Sequence, residues 1–111
     1  MAKKTTARAT AKRSSGNVFA DLGLPNPEQE MLKAQLTLQI YRIVRERRLT
    51  QAQAGEVLGI KQPHVSALMR NRAGTFSVGR LMEFLIALGQ DVTVTVKPTK
   101  KAVGEVEVLM G

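Results

Sequence analysis

Residues Thr50–Arg70 read TQAQAGEVLGIKQPHVSALMR, and this stretch decides the fold. Gly55 is small enough for two helices to touch, and Gly59 suits a tight turn between them. Apolar residues recur around the two glycines at helical spacing, and the set is Ala54, Leu58, Ile60, Val65 and Leu68. Such spacing buries one face of each helix and leaves the second helix free to enter a DNA major groove. The stretch therefore predicts a helix-turn-helix over residues 50–70.

The ends of both helices carry recognisable signals. Thr50 and Gln53 have the spacing of a capping box, in which each side chain accepts a hydrogen bond from the other residue's backbone N–H. Gly59 ends the first helix of the motif. Pro63 is tolerated only in a first helical turn, so the second helix begins near Lys61 or Gln62 and reaches about Arg70.

Further helices are expected on both sides of the motif. Asn26 and Pro27 followed by acidic residues indicate a helix start, with Asn as the cap and Pro at the first position. This helix should run to about Arg47 on an apolar face made of Leu32, Leu36, Ile40, Ile43 and Val44. Ser77 can cap another helix, which Gly89 ends, on an apolar set made of Val78, Leu81, Met82, Phe84, Leu85 and Leu88.

After Gly89 the apolar period changes from about 3.6 to 2 residues. Val92, Val94 and Val96 alternate with threonines, and Val106 and Val108 alternate with glutamates. The alternation predicts a short C-terminal β-hairpin over residues 91–111. A lone hairpin is marginal in water, so it must pack on the helices or pair with the same strand of a second chain.

The formal charge of +8 is unevenly distributed. Residues 1–16 hold five basic residues and no acid, and the other excess lies around residues 33–80. A basic surface on and near a helix-turn-helix is the electrostatic footprint expected for nucleic acid. The tail over residues 1–16 is predicted to be a disordered basic arm, with a merely solubilising tail or an organelle transit peptide as alternatives.

Other classes of protein find little support. There is no cysteine, which excludes disulfides and thiolate metal sites and suits the cytoplasm. No apolar run has the length of a membrane span. His64 is the only histidine and has no ligand partner at metal-site spacing, and no glycine-rich loop follows a strand. We therefore expect no enzymatic activity, no cofactor and no membrane partner.

The second helix of the motif presents a polar face that suits DNA. Gln62 can bridge adenine N6 and N7, Ser66 can donate to a base or phosphate, and Ala67 can contact a thymine methyl. Lys61 and Arg70 suit phosphates at the groove walls. Gln51 begins the first helix, where backbone N–H groups can hold another phosphate. The predicted DNA-contacting set is Gln51, Lys61, Gln62, Pro63, Ser66, Ala67 and Arg70. For each residue the alternative is an ordinary solvated helix face.

The stretch LTQAQAGEVLGIKQPHVSAL resembles the Cro/repressor (XRE) helix-turn-helix family, apart from Gly55, where the family usually has Ala, and Ala54, where a larger aliphatic is common. The flanking stretches SGNVFADLGLP and FSVGRLMEFLIALGQDVTVTVKP resemble its HigA-type antitoxin subgroup. The resemblance implies a mainly α, four- to five-helix lambda-repressor-like domain over residues 17–90, followed by the hairpin. It also implies a homodimer that represses its own operon at a palindromic operator on the nucleoid.

The same resemblance implies a protein partner. An antitoxin of this subgroup neutralises a small RelE/HigB-like toxin that cleaves mRNA. Asn17–Pro25 and the first helix are then the candidate toxin-binding surface, with Phe19, Leu22 and Leu24 as apolar anchors; alternatively these side chains cap the protein's own core. Two other functions stay open, namely a stand-alone XRE regulator without a toxin and an interaction scaffold that does not bind DNA.

Overall fold

The computed structural model describes Gly23, residues 26–70 and residues 76–110. These residues form four helices, which are α1 (Pro27–Glu46), α2 (Gln51–Leu58), α3 (Gln62–Met69) and α4 (Val78–Ala87). All four agree with the helices expected from periodicity and capping. The basic tail predicted over residues 1–16, the segment 17–25 apart from Gly23, residues 71–75 and residue 111 lie outside the described residues.

Helix α1 begins at Pro27 as expected, but Asn26 differs from an ordinary N-cap. Its backbone lies in the left-handed region with φ 52°, which Asn tolerates better than most residues. Its carbonyl accepts a hydrogen bond from the N–H of Glu30 at 3.0 Å. The sequence therefore located the helix start correctly, and Asn26 precedes the helix with a left-handed backbone instead of the extended backbone usual at an N-cap.

The C-terminal end of α1 is closed by backbone hydrogen bonds. The N–H of Leu49 donates to the carbonyl of Val44 at 3.1 Å, and the N–H of Arg48 donates to that of Arg45 at 3.0 Å. This is the Schellman arrangement, and it requires a left-handed residue, which here is Arg48 with φ 54°. A non-glycine residue in this region is strained, so the surrounding bonds must hold it there.

The capping box of α2 is present in full. The N–H of Thr50 donates to Gln53 Oε1 at 2.9 Å, and the N–H of Gln53 donates to Thr50 Oγ1 at 3.1 Å. At the other end Gly59 takes φ 72°, and the N–H groups of Gly59 and Ile60 both donate to the carbonyl of Gly55, at 2.8 and 3.0 Å. The turn of the motif is thus built on a single acceptor, the carbonyl of Gly55.

Gly55 is constrained by the turn more than by the facing helix. A Cβ atom at this position would lie 2.8 Å from the carbonyl oxygen of Ile60, and 3.5 Å from Cγ2 of Val65 in α3. The sequence suggested close helix–helix contact as the reason for a glycine here. The shortest approach is instead to turn backbone, which cannot rotate away as a side chain can.

The core lies within residues 33–95 and is aliphatic except for one ring, that of Phe84. Ile40, Val65, Leu68, Leu81 and Leu88 are fully buried. Thr37 is also buried at 1% exposure, and its hydroxyl donates to the carbonyl of Lys33 at 2.7 Å. Because that hydroxyl has a partner, Thr37 can lie among apolar side chains at little cost.

A hydrogen bond joins the ends of α1 and α4. Nη2 of Arg47 donates to the carbonyl of Leu88 at 2.6 Å. The N–H groups of Gly89 and Gln90 donate to the carbonyls of Ile86 and Leu85, at 2.9 and 3.0 Å. The last carbonyls of α4 are therefore satisfied by its own cap and by a cation, which also favours the negative end of the helix dipole.

The β-hairpin predicted for residues 91–111 is not found, because residues 91–110 contain no strand. Two of its valines are largely uncovered, since Val94 is 67% exposed and Val96 is 92% exposed. Alternation specifies a strand only where one face can be buried, and two strands alone are marginal in water. The apolar alternation identified residues suited to β-pairing, but residues 91–110 contain no second strand for them to pair with.

The chain divides into two units, residues 33–95 and residues 1–32 with 96–111. Within the second unit, the N–H of Val106 donates to Glu28 Oε2 at 3.3 Å. Lys101 pairs with Glu105 at 2.6 Å, and both side chains are exposed, so the ion pair adds little stability.

The two helical glycines Gly55 and Gly79 predict opposite effects of the same substitution. Gly55→Ala forces a Cβ atom against the Ile60 carbonyl and should destabilise the fold by about 1–3 kcal/mol, with Gly55→Val worse. Gly79 in α4 has no atom closer than 4.0 Å to its added Cβ, so Gly79→Ala should stabilise by about 0.5–1 kcal/mol. Urea unfolding followed by circular dichroism measures both. A Gly55→Val chain with wild-type stability would contradict the steric argument.

Candidate nucleic-acid interface

A groove runs between α2, with the turn that follows it, and the N-terminal end of α3. It is open to solvent and has a volume of about 700 Å³. Its lining residues are Gln51, Ala52, Gly55, Glu56, Gly59, Ile60, Lys61, Gln62 and His64. Three of the predicted DNA-contacting residues, Gln51, Lys61 and Gln62, therefore share one groove, and all three are exposed.

Backbone donors add to this groove at the start of α2. The capping box uses the N–H groups of Thr50 and Gln53. Among the described residues, the N–H groups of Gln51 and Ala52 have no hydrogen-bond partner. Free N–H groups at a helix start attract anions, which agrees with the phosphate contact predicted near Gln51.

The first turn of α3 is arranged differently. Lys61 is its N-cap, with extended backbone at φ −77° and ψ 155°, and it makes no side-chain capping bond. Its carbonyl accepts from the N–H groups of His64 and Val65, at 2.9 and 3.2 Å. Pro63 has no N–H to leave unsatisfied. The side chains of Lys61 and Gln62 are therefore not needed for capping and are available for a ligand.

The other four predicted residues do not line the groove. Pro63 and Arg70 are exposed, while Ser66 and Ala67 are half-buried. Arg70 lies back along α3, where its Nη2 donates to Ser66 Oγ at 2.6 Å. The Ser66 hydroxyl thus accepts from Arg70 and keeps its own hydrogen for another acceptor. The predicted set is divided into a groove group and a second group further along α3.

His64 has an aromatic partner that the sequence did not indicate. Its ring meets that of Phe76 edge-on at 6.0 Å between centroids, and Phe76 meets Phe84 edge-on at 5.1 Å. His64 is nevertheless exposed and lines the groove. The two rings connect the surface of α3 to the core of α4. Sequence spacing could not reveal this, because residues 71–75 separate Phe76 from the motif.

Glu56 was missed by sequence reasoning. It is exposed on α2 and lines the same groove as Lys61 and Gln62. A carboxylate there repels phosphates and can accept a hydrogen bond from the cytosine amino group. The groove therefore carries mixed charge, which favours selectivity over uniform attraction to any nucleic acid.

A further basic side chain beyond the groove, Arg80, is already engaged. Its Nη1 lies 3.0 Å from Glu83 Oε1, and its guanidinium carbon is 4.8 Å from the centroid of the Phe84 ring. Both charges of the pair are largely exposed, so salt weakens the interaction. Glu83 therefore partly offsets the positive charge that Arg80 adds near the motif.

The described ranges contain neither a metal-binding cluster nor a membrane-spanning helix. No group of three His, Cys, Asp or Glu residues there could hold a metal ion. None of the helices described is long and apolar enough to cross a lipid bilayer.

Comparison with known proteins points to one family. Residues 18–97 match the family described as Helix-turn-helix domain. A solved structure whose name assigns it to the XRE family of transcriptional regulators superposes with a TM-score of 0.73 at 38% sequence identity. That match covers 78% of this chain and 100% of the other chain. No curated protein matches the sequence.

The groove geometry predicts different roles for two neighbouring residues. Gln62→Ala should weaken specific DNA binding by about 1–3 kcal/mol and relax sequence preference, because a base-edge contact is lost. Lys61→Ala should weaken binding to all sequences similarly and reduce the salt slope by about one, because a phosphate contact is lost.

Fluorescence anisotropy on specific and random duplexes at several salt concentrations measures both effects. Lys100→Ala removes an exposed lysine outside the groove and serves as the control, with both quantities unchanged. If a binding selection with the Gln62→Ala chain returned the same preferred site, Gln62 would not be the base reader.

Proposed function

The chain belongs to the XRE-type helix-turn-helix family of transcriptional regulators, and from this premise we propose that it is a dimeric, sequence-specific repressor. The observation that carries the proposal is the position of α3. Its apolar residues Val65 and Leu68 are fully buried, whereas Lys61 and Gln62 stand exposed in a groove. A helix whose apolar face packs against the core in this way can place its polar face in a major groove without rearrangement.

The proposed target is a palindromic operator. Two copies related by a two-fold axis present two α3 helices, and half-sites one helical turn apart then match them. Gln62 reads base edges, while Lys61 and the start of α2 hold phosphates. The proposal locates the protein on the nucleoid in the cytoplasm, and it assigns the protein no catalytic activity and no cofactor.

The dimer contact is proposed to involve the segment after Gly89. Val94 and Val96 are 67% and 92% exposed, and the alternation with threonines suits β-pairing. Uncovered β-branched side chains favour pairing with a second copy, which would supply the missing strand.

Substitution of the exposed valines tests this dimer. The double variant Val94→Thr, Val96→Thr keeps side-chain volume but lowers the gain from burial, so it should shift sedimentation toward the monomer. Operator affinity should fall with it, since a monomer contacts one half-site. Val57→Thr changes an exposed valine of α2, 41% exposed, and is the matched control.

Salt dependence decides whether DNA is the ligand. Binding to a duplex selected from random sequence should weaken steeply between low and physiological salt, by a slope of about 0.9 per phosphate contacted. A flat response, or no selected sequence, would favour a scaffold that does not bind DNA and would overturn the repressor proposal.

A second candidate function is an antitoxin within the same chain, as the resemblance to HigA-type proteins implies. Support comes from the acidic first turn of α1, where Glu28 and Glu30 lie half-buried beside the apolar segment 17–25 in sequence. Acidic and apolar groups together suit a small basic ribonuclease. Glu28 also accepts a hydrogen bond from the N–H of Val106 at 3.3 Å.

Two deletions separate the antitoxin from a stand-alone regulator. A pull-down of the tagged chain from its native cells, with mass spectrometry, first identifies any small basic partner. Deletion of residues 1–25 should then abolish neutralisation of that partner in co-expression while most operator affinity remains. Deletion of residues 1–16 is the control and should keep neutralisation. A chain that co-purifies with no protein partner would leave the repressor without a toxin.

A further inference from the structure

Helix α3 borders a second concavity at its C-terminal end. It has a volume of about 350 Å³ and is formed by α1 and the end of α3. Its lining residues are Ala34, Gln35, Thr37, Leu38, Tyr41, Leu68 and Met69. This volume is within the range of small-molecule sites, which is about 300–1,000 Å³. We refer to it as the α1–α3 cavity.

The α1–α3 cavity is mainly apolar and carries no formal charge. Leu68 is fully buried, and Leu38 is 44% exposed in the open part. The Tyr41 ring has the guanidinium carbon of Arg45 5.7 Å from its centroid, a contact that restrains the ring. Met69 adds a flexible thioether side chain, which adapts to different shapes. Such a lining suits an uncharged molecule with an apolar body.

One polar atom of the lining has no partner. Thr37 donates its hydroxyl hydrogen to the Lys33 carbonyl, so that group is satisfied. Gln35 Oε1 is shielded from solvent, and no donor among the described residues reaches it. A shielded acceptor without a donor is costly, and native structures keep few of them. An incoming N–H or O–H group, which the Gln35 side chain turns to meet, would remove this cost.

We propose that the α1–α3 cavity binds a small uncharged molecule that has an apolar, ring-sized body and one hydrogen-bond donor directed at Gln35. The volume and the uncharged, mainly apolar lining argue for this occupant. The bound molecule contacts the C-terminal end of α3 through Leu68 and Met69.

Indole and indene test the proposal, because they share a shape and differ in one group. Indole has an N–H where indene has a CH₂. In the full chain with ¹³C-labelled Leu and Met methyl groups, indole should shift the signals of Leu38, Leu68 and Met69 saturably. Indene should bind about fivefold more weakly, the usual effect of one hydrogen bond.

Two variants sharpen the test. Gln35→Leu removes the acceptor at similar volume and should make the two affinities equal. Ala34→Met fills the α1–α3 cavity and should abolish both. Circular dichroism checks that each variant folds, and the indole–indene comparison on the unchanged chain stands without them.

Three results would overturn the proposal. The first is the absence of saturable shifts with indole, and the second is equal affinity of indole and indene for the unchanged chain. The third is a change of the Leu38 and Met69 signals with protein concentration alone, which would show that a second copy covers the surface. The binding readout uses no DNA, so it is independent of whether the chain is a repressor.

Discussion

The contact between Gly55 and the turn after α2 is the constraint on which the motif depends. The carbonyl of Ile60 comes so close that a Cβ atom at residue 55 would lie 2.8 Å from it. The carbonyl of Gly55 in turn accepts both N–H groups of the turn, those of Gly59 and Ile60. The chain therefore reverses within few residues, and the start of α3 is brought against the end of α2. Residue 55 must be glycine because there is no room for a Cβ atom. The tighter turn offsets the lower helix propensity of glycine.

With the turn in place, the apolar face of α3 packs against the other helices. Val65 and Leu68 enter an aliphatic core with Ile40, Leu81 and Leu88, and each of these side chains is fully buried. Close packing of this kind resists rotation of α3, because any shift opens cavities on one side. The hydrogen bond from Arg47 to the Leu88 carbonyl joins the C-terminal ends of α1 and α4. A rigid support of this sort keeps a recognition helix in register with its site.

Different parts of the α3 surface therefore have different chemical surroundings. Its N-terminal end meets α2 in an open groove of mixed charge, where Lys61 attracts phosphate and Glu56 repels it. Further along, Arg70 is restrained by Ser66, so its guanidinium must exchange that bond to reach a phosphate. On the buried side, Leu68 and Met69 border an apolar cavity with an unpaired amide oxygen. One short helix thus contacts polar solvent, the protein core and a small-molecule-sized space.

The sequence by itself determined the four helices and the motif. Capping by Thr50 and Ser77, the left-handed turn at Gly59 and the apolar face of α1 depend on neighbours within four residues, and local chemistry decides them. The candidate DNA-contacting face was also readable, because burial of Val65 and Leu68 leaves the other side of α3 outside. Only the tertiary structure decided which residues meet across the chain. Four features depend on partners that are distant in sequence or missing. They are the small size required of Gly55, the position of Glu56 in the same groove as Lys61, the edge-on contact of His64 with Phe76 and the absence of strands in residues 91–110. Sequence periodicity shows which face of a segment is apolar, but only the folded chain provides the surface that buries that face.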